Sequence, residues 1–140
     1  MTKNVLITVQ GMQISLNGND NVEVTTIGSY YYKNGKHYIY YEEILDCSEP
    51  PIKNWIKIYD DKVEVCKKGA SNVQMFFETG RKNTSMYKMP FGTIEIGICT
   101  QEIQFSQTEQ EMKLELRYEL EMNGEYIGDS FIYMVVDARS

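Results

Sequence analysis

The segment that most constrains the fold is a strict alternation of apolar and polar side chains over residues 112–122. Every position between its apolar residues carries a charge, and those apolar residues are Met112, Leu114, Leu116, Tyr118, Leu120 and Met122. An α-helix would scatter this apolar set around its circumference, whereas a β-strand places all of it on one face. The alternation therefore predicts a long strand, although several of its residues are good helix formers.

Nine other stretches have the composition of strands and are separated by turn residues. With the first segment they span residues 3–16, 21–33, 36–45, 53–60, 62–69, 72–79, 83–89, 92–106, 111–122 and 125–137. Tight turns between successive strands favour an antiparallel meander, and a long meander closes into a barrel that removes its edges. We expect one all-β domain over residues 1–140, a single closed antiparallel barrel of about 8–10 strands.

The pair Asn34-Gly35 predicts the register of one hairpin, because a two-residue type I′ turn needs positive φ at both positions. It places Tyr32 opposite His37, Tyr30 opposite Ile39, and Gly28 opposite Tyr41. We expect this face to point inward together with Val22 and Val24, since both valines alternate with polar residues.

The pair Asn123-Gly124 predicts a second hairpin by the same argument. It places Leu116 opposite Phe131 and Tyr118 opposite Asp129, with all four side chains inside the barrel. Ile132 and Met134 then face outward. Two explanations stay open for that apolar patch: a β-bulge near Gly128 that resets the register, or cover by another chain.

Charge and composition exclude several classes of function. The net charge of -6 argues against binding to nucleic acid or to an anionic membrane, both of which need a positive surface. No apolar run approaches the length of a membrane helix, and no signal peptide opens the chain, so we expect a cytoplasmic protein. The odd number and wide spacing of Cys47, Cys66 and Cys99 fit neither a disulfide framework nor a zinc site. We expect no cofactor and no metal.

Three segments carry a resemblance to a known family. They are 28–43 (GSYYYKNGKHYIYYEE), 74–80 (QMFFETG) and 87–92 (YKMPFG), and the stretch 97–100 (GICT) follows them. In this order the chain resembles the YwiB-like family of small bacterial proteins of unknown function, which have a calycin, or lipocalin-like, barrel. The resemblance implies a barrel and a cytoplasmic location, and it implies no activity or functional residue.

Candidate catalytic groups are sparse. His37 is the only histidine and has no neighbouring nucleophile elbow, while Glu42 and Glu43 point to opposite faces of a strand. We therefore expect no enzyme. The basic residues are predicted to gather at one barrel end, where they would attract an anion; these are Lys67, Lys68, Arg81, Lys82 and Lys88.

Two functional hypotheses follow. The first is a barrel that holds a small apolar or amphipathic ligand, with Asp129 or Arg81 near its mouth. Its predicted lining residues are Tyr30, Tyr41, Met75, Phe77, Tyr118 and Phe131. The alternative is a structural or interaction module with a filled core, which forms a homodimer or binds a partner through its outer surface. Its predicted contact residues are Tyr31, Tyr38, Tyr40, Ile132 and Met134.

Overall fold

The computed structural model describes residues 4–11, 23–44, 50–69 and 72–138, which form strands joined by turns. The strands are β1 (Asn4–Gln10), β2 (Glu23–Lys33), β3 (Lys36–Glu43), β4 (Ile52–Tyr59), β5 (Lys62–Lys68), β6 (Val73–Glu78), β7 (Lys82–Met89), β8 (Gly92–Gln107), β9 (Glu111–Met122) and β10 (Glu125–Ala138). Each matches one predicted strand, so the all-β prediction is confirmed. The predicted extension of the first strand beyond residue 11 and the start of the second lie outside the described residues. The described ranges contain no helix long and apolar enough to cross a membrane.

The strands follow one another around a nearly closed antiparallel barrel. They pair in chain order from β1 to β6 and from β7 to β10, and β1 pairs with β10 to join the two runs. At the remaining boundary, between β6 and β7, the described residues form one bridge. There Asn72 and Lys88 exchange backbone hydrogen bonds of 2.7 and 2.8 Å. We call this boundary the seam.

The interior of the barrel is a continuous apolar core. Its largest fully buried side chains come from both runs of strands: Ile7, Ile39, Tyr41, Ile56, Met75, Phe77, Ile96, Ile98, Met112, Leu114, Leu116 and Ile132. On β9 the six apolar residues of the alternation are all buried, while Lys113 and Arg117 between them are exposed. Burying a side chain of this size stabilises the fold by roughly 1.5–3 kcal/mol.

The first predicted hairpin is confirmed. Asn34 and Gly35 have φ angles of 54° and 77°, as a type I′ turn requires. Tyr30 pairs with Ile39, and both side chains are buried in the core. Tyr41, two positions further along β3, is also buried, so the inward face of this hairpin is as predicted. Val22 lies outside the described residues.

The second Asn-Gly turn forms as predicted, but the register after it differs by one residue. Tyr126 pairs with Glu121 while Gly128 pairs with Leu120, so Ile127 is an extra residue in a β-bulge. Of the two explanations left open by the sequence, the structure contains the bulge. Because side chains alternate between faces, every residue of β10 after the bulge points the opposite way from the prediction.

The bulge exchanges the predicted inner and outer faces of β10. Leu116 lies opposite Ile132 rather than Phe131. Ile132 and Met134 are each 1% exposed and belong to the core, so their predicted place on an outer contact surface is wrong. Phe131 and Asp129, predicted to face inward, lie on the outer face.

Substitutions on β10 test this register. Ile132→Ala should lower the free energy of unfolding by about 2–5 kcal/mol, since it opens a cavity in the core. Phe131→Ala should cost less, roughly 1 kcal/mol, because that side chain is half-buried on the outer face. Chemical denaturation measures both.

The matched pair of substitutions on β9 serves as the control. Leu116→Ala should cost about 2–5 kcal/mol, and Arg117→Ala should cost about 0.5 kcal/mol or less. A greater loss from Phe131→Ala than from Ile132→Ala would mean that the bulge is absent.

Candidate functional site

Five of the residues predicted to line a ligand cavity lie inside the barrel as part of the core. Tyr41, Met75 and Phe77 are at most 2% exposed, and Tyr30 and Tyr118 are nearly as buried. The rings of Phe77 and Tyr118 pack edge to face, with their centroids 5.1 Å apart. Burial raises the pKa of Tyr118 to about 12, while a hydrogen bond with Ser130 acts in the opposite direction. These side chains pack against one another in the space that the sequence assigned to a ligand.

The other three predicted residues do not join them. Asp129 is exposed, and its Oδ1 accepts a hydrogen bond of 3.0 Å from the Tyr126 hydroxyl. Phe131 lies on the outer face, and Arg81 is exposed in the turn between β6 and β7, with its Nε 3.8 Å from a Glu78 carboxylate oxygen. The predicted interior pair of Tyr118 and Asp129 is wrong, because the bulge places the two side chains on opposite faces of the sheet.

A polar cluster lies on the inner face of the barrel, where β3 and β5 end and β4 begins. Oε1 of Glu43 accepts hydrogen bonds from Nδ2 of Asn54 at 3.0 Å and from Nζ of Lys67 at 3.1 Å. Asn54 is fully buried, and its Oδ1 has no partner among the described groups. Burial, followed by the charge of Glu43, raises the pKa of the neighbouring Tyr41. Sequence reasoning missed Asn54, whose only signal is a polar side chain two positions before the apolar Ile56.

His37 belongs to an aromatic cluster at the opposite end of the barrel. The Gln107 amide donates to the Tyr30 hydroxyl oxygen at 3.3 Å, and that hydroxyl is hydrogen-bonded with Nδ1 of His37 at 2.7 Å. The rings of Tyr32 and Phe105 flank the imidazole, with centroids at 4.9 and 5.1 Å. Desolvation by burial lowers the pKa of His37. The cluster therefore favours a neutral histidine, and no described serine or cysteine hydrogen-bonds to it.

The outer face of β2–β6 carries a row of aromatic side chains that line a groove of about 640 Å³, which we call the aromatic groove. Tyr31 and Tyr38 are cross-strand partners, and their rings stack at 4.6 Å with 11° between the planes. Tyr40 and Trp55 are also partners, at 5.2 Å. The sequence placed the three tyrosines outward but missed Trp55, which alternates with buried residues of β4. Tyr31 is 54% exposed and Trp55 is 40% exposed, so much of this surface is open to solvent.

Lysine side chains border the aromatic groove. Lys57 Nζ lies 5.9 Å from the centroid of the Tyr38 ring, and Lys68 Nζ lies 5.6 Å from that of Trp55. Both distances are within the range of cation–π attraction. Lys57 also forms an ion pair of 3.5 Å with Glu64. The groove thus combines apolar ring surface with charges at its rim.

A second, smaller groove of about 330 Å³ follows the seam, and we call it the seam groove. It shares Cys66 and Gln74 with the aromatic groove, so the two grooves adjoin. Lys68 and Lys88 line it near the Asn72 bridge.

The predicted gathering of basic residues at one barrel end is found in part, since Lys67, Lys68 and Lys88 line the seam groove near the Asn72 bridge. Arg81 and Lys82 lie at the far end of the seam from Lys68 and Lys88, and Lys67 points inward toward Glu43. Lys82 forms an ion pair with Glu121. Arg81 and Lys82 are therefore not part of that cluster.

Charge is distributed unequally around the barrel. The strands β8–β10 with their turns contain ten acidic residues, and their two cations, Lys113 and Arg117, both form ion pairs with glutamates. On and around β2–β7, six lysines form no ion pair with any described residue: Lys33, Lys36, Lys53, Lys62, Lys68 and Lys88. Of these lysines, Lys68 and Lys88 line the seam groove, so a protein of net charge -6 carries two unneutralised cations there.

The described residues include no cluster of three His, Cys, Asp or Glu side chains that could hold a metal ion. Cys66 and Cys99 are free, half-buried thiols. Cys47 lies outside the described residues.

Comparison with known proteins identifies the family. A family model described as a domain of unknown function, DUF1934, matches residues 7–134. The chain belongs to this family. The uncharacterized β-barrel protein YwiB of Bacillus subtilis is 32% identical over 109 residues, which are 77% of this chain and 75% of that protein. The DUF1934 membership and this relative confirm the YwiB-like resemblance.

The fold of this DUF1934 chain is also found in a solved structure. The crystal structure of YwiB from Bacillus subtilis matches it with a TM-score of 0.79 and 24% identity, over 99% of this chain and 93% of that one. The likeness extends over both runs of strands. It shows the barrel fold, while the family itself is one of unknown function.

The stability of this DUF1934 domain should depend on pH through His37. Burial lowers the pKa of folded His37 below its ordinary value of 6.5, so the unfolded chain takes up the proton first. The contribution of neutral His37 to stability is complete above about pH 6.5 and is lost as the pH falls below it. Chemical denaturation at about pH 7.5 and about pH 5 should show a larger loss in the native protein than in His37→Gln, which cannot titrate there. Equal losses in the two proteins would mean that folding leaves the pKa of His37 unchanged.

Proposed function

We propose that this protein is a non-enzymatic binding module that takes up a small apolar or amphipathic ligand in the aromatic groove outside the barrel. The observation that carries the proposal is the convergence of Tyr31, Tyr38, Tyr40 and Trp55 on one depression of about 640 Å³. That volume is within the range of about 300–1,000 Å³ that is typical of ligand sites. Contiguous exposed aromatic surface of this kind marks binding sites on soluble proteins.

The aromatic groove supports ligand binding better than the barrel interior does. The interior candidates Tyr41, Met75 and Phe77 are almost fully buried by their neighbours, so a ligand there would have to displace packed side chains. In the groove, by contrast, Tyr31 and Trp55 are already exposed, and covering them would remove apolar surface from water.

Polar groups around the aromatic groove suit an amphipathic ligand. Burial, the nearby charge of Glu42 and a hydrogen bond to its carboxylate raise the pKa of Tyr40, so the hydroxyl stays protonated and its oxygen can accept a hydrogen bond from a ligand. The Lys57–Glu64 pair supplies a donor and an acceptor at the rim. Sites that bind and orient a small ligand usually have a mostly apolar lining with a few polar groups.

We also infer that the barrel is a calycin, catalyses no reaction and works in the cytoplasm. The antiparallel meander supports the calycin class. The burial of His37 in an aromatic cluster, with its Nδ1 bonded to Tyr30, supports a structural role for that residue. The free thiols Cys66 and Cys99 support a reducing compartment. The overall negative charge supports a partner other than nucleic acid.

One observation favours a second function for the outer face of β2–β6. It could form the homodimer interface that the sequence analysis gave as an alternative. Ile27 and Tyr31, both on the outer side of β2, are more than half exposed. Two copies that met through this face would bury both residues symmetrically, as an isologous dimer does.

The dye 1-anilinonaphthalene-8-sulfonate, which is amphipathic, tests the groove. It should bind saturably and quench the emission of Trp55, because this sole tryptophan lines the groove. Tyr38→Ala should weaken binding by about tenfold, since an aromatic contact contributes up to about 1.5 kcal/mol.

The matched control is Tyr126→Ala, which removes an exposed tyrosine from β10 and should leave dye binding unchanged. Light scattering of the free protein separates ligand binding from the dimer. Dye binding that is indifferent to Tyr38→Ala would contradict the proposed site.

A further inference from the structure

We infer that the aromatic groove and the seam groove together bind an extended, acidic segment of another polypeptide. This inference rests on the proposed binding function of the aromatic groove. The aromatic groove and the seam groove together form the surface, and the unneutralised lysines along it select the charge of the occupant.

The two grooves adjoin along Cys66 and Gln74, which line both, and we call them together the track. It reaches from Tyr31 on β2 to Lys88 on β7. Five strand spacings of about 4.8 Å give this track a length of roughly 24 Å, which an extended chain of about seven residues would span. A small ligand would fill only part of it.

The charges along the track select an anionic occupant. Lys68 and Lys88 line the seam groove without forming an ion pair to any described carboxylate, although the whole chain has a net charge of -6. Acidic side chains on a bound segment would neutralise them, and electrostatic complementarity of this kind speeds encounter and sets specificity. The acidic residues of β9 and β10 lie on strands away from the seam and would repel the same segment from that side, while Glu95 on β8 is the cross-strand partner of Met86 in the seam groove.

The backbone at the seam favours a polypeptide over a nucleic acid. β6 pairs only with β5, and β7 only with β8, apart from the single Asn72–Lys88 bridge among the described residues. The facing strand edges therefore carry peptide N–H and C=O groups that lack a ladder, and the peptide bonds of a segment that crosses the seam can donate to these groups and accept from them.

The ring faces in the aromatic groove are partly covered, which disfavours the stacking of bases. Tyr31 and Tyr38 stack on each other, and Lys68 lies over Trp55. Single-stranded nucleic acid needs open ring faces and a positive field, whereas apolar peptide side chains can pack against ring edges.

Two capped heptapeptides test the inference, one of sequence Glu-Val-Glu-Pro-Glu-Val-Glu and one with glutamine in place of each glutamate. Trp55 emission should report saturable binding of the acidic peptide, roughly tenfold tighter than that of its neutral counterpart at low salt. The double variant Lys68→Gln/Lys88→Gln should abolish the preference. The control Lys113→Gln/Arg117→Gln removes two charges from the opposite side of the barrel and should keep it.

The other outcomes overturn the inference in distinguishable ways. Equal binding of both peptides, still weakened by Tyr38→Ala, would refute the acidic occupant and leave the groove as a binding site. Tighter binding of a twelve-nucleotide oligo-dT would assign the track to nucleic acid. An apparent molar mass that rises with protein concentration, measured by light scattering without peptide, would assign the track to a second copy of this chain. Failure of peptides and dye alike would refute the proposed function as well.

Discussion

The register of the strand pairs is the constraint on which the rest of this barrel depends. A shift of one residue exchanges the two faces of a strand, so one extra residue decides which half of a strand's side chains enters the core. Ile127 is that residue on β10. Because β10 pairs with both β9 and β1, the bulge aligns the buried residues at the point where the two runs of strands join.

In this barrel the inward residues of each strand form the core, and the outward residues between them are available for binding. Since successive side chains of a strand point to opposite faces, the residues that fill the core impose no requirement on those between them. On β4 the inward Asn54 and Ile56 are buried, while Trp55 and Lys57 between them border the aromatic groove. The same physical rule separates the acidic outer surface of β9 from its apolar inner face. Core and surface can therefore be selected independently along one chain.

Much of the fold could be predicted from local patterns. The main error of the prediction, the register of β10, has a physical cause. The alternation of β9 and the Asn34-Gly35 turn gave the correct faces because only one side of those strands is apolar. After Gly128 both faces of β10 are apolar: Ile132, Met134 and Val136 on one, and Phe131, Tyr133 and Val135 on the other. Periodicity cannot choose between two such faces, so the turn alone set the predicted register, and the bulge shifted it.

The candidate site was less accessible to sequence reasoning than the fold was. The sequence by itself determined the strands, the meander and most inward residues, because these depend on contacts between neighbours in the chain. The contact of Trp55 with Tyr40 depends on the register of β3 against β4, which no turn signal in the sequence predicted. Only the tertiary structure set Lys68 and Lys88 along a seam without a ladder. The seam depends on how far the sheet curls before β6 and β7 meet. That curl is the sum of twist and bulges over all ten described strands, and no local segment of the chain encodes it.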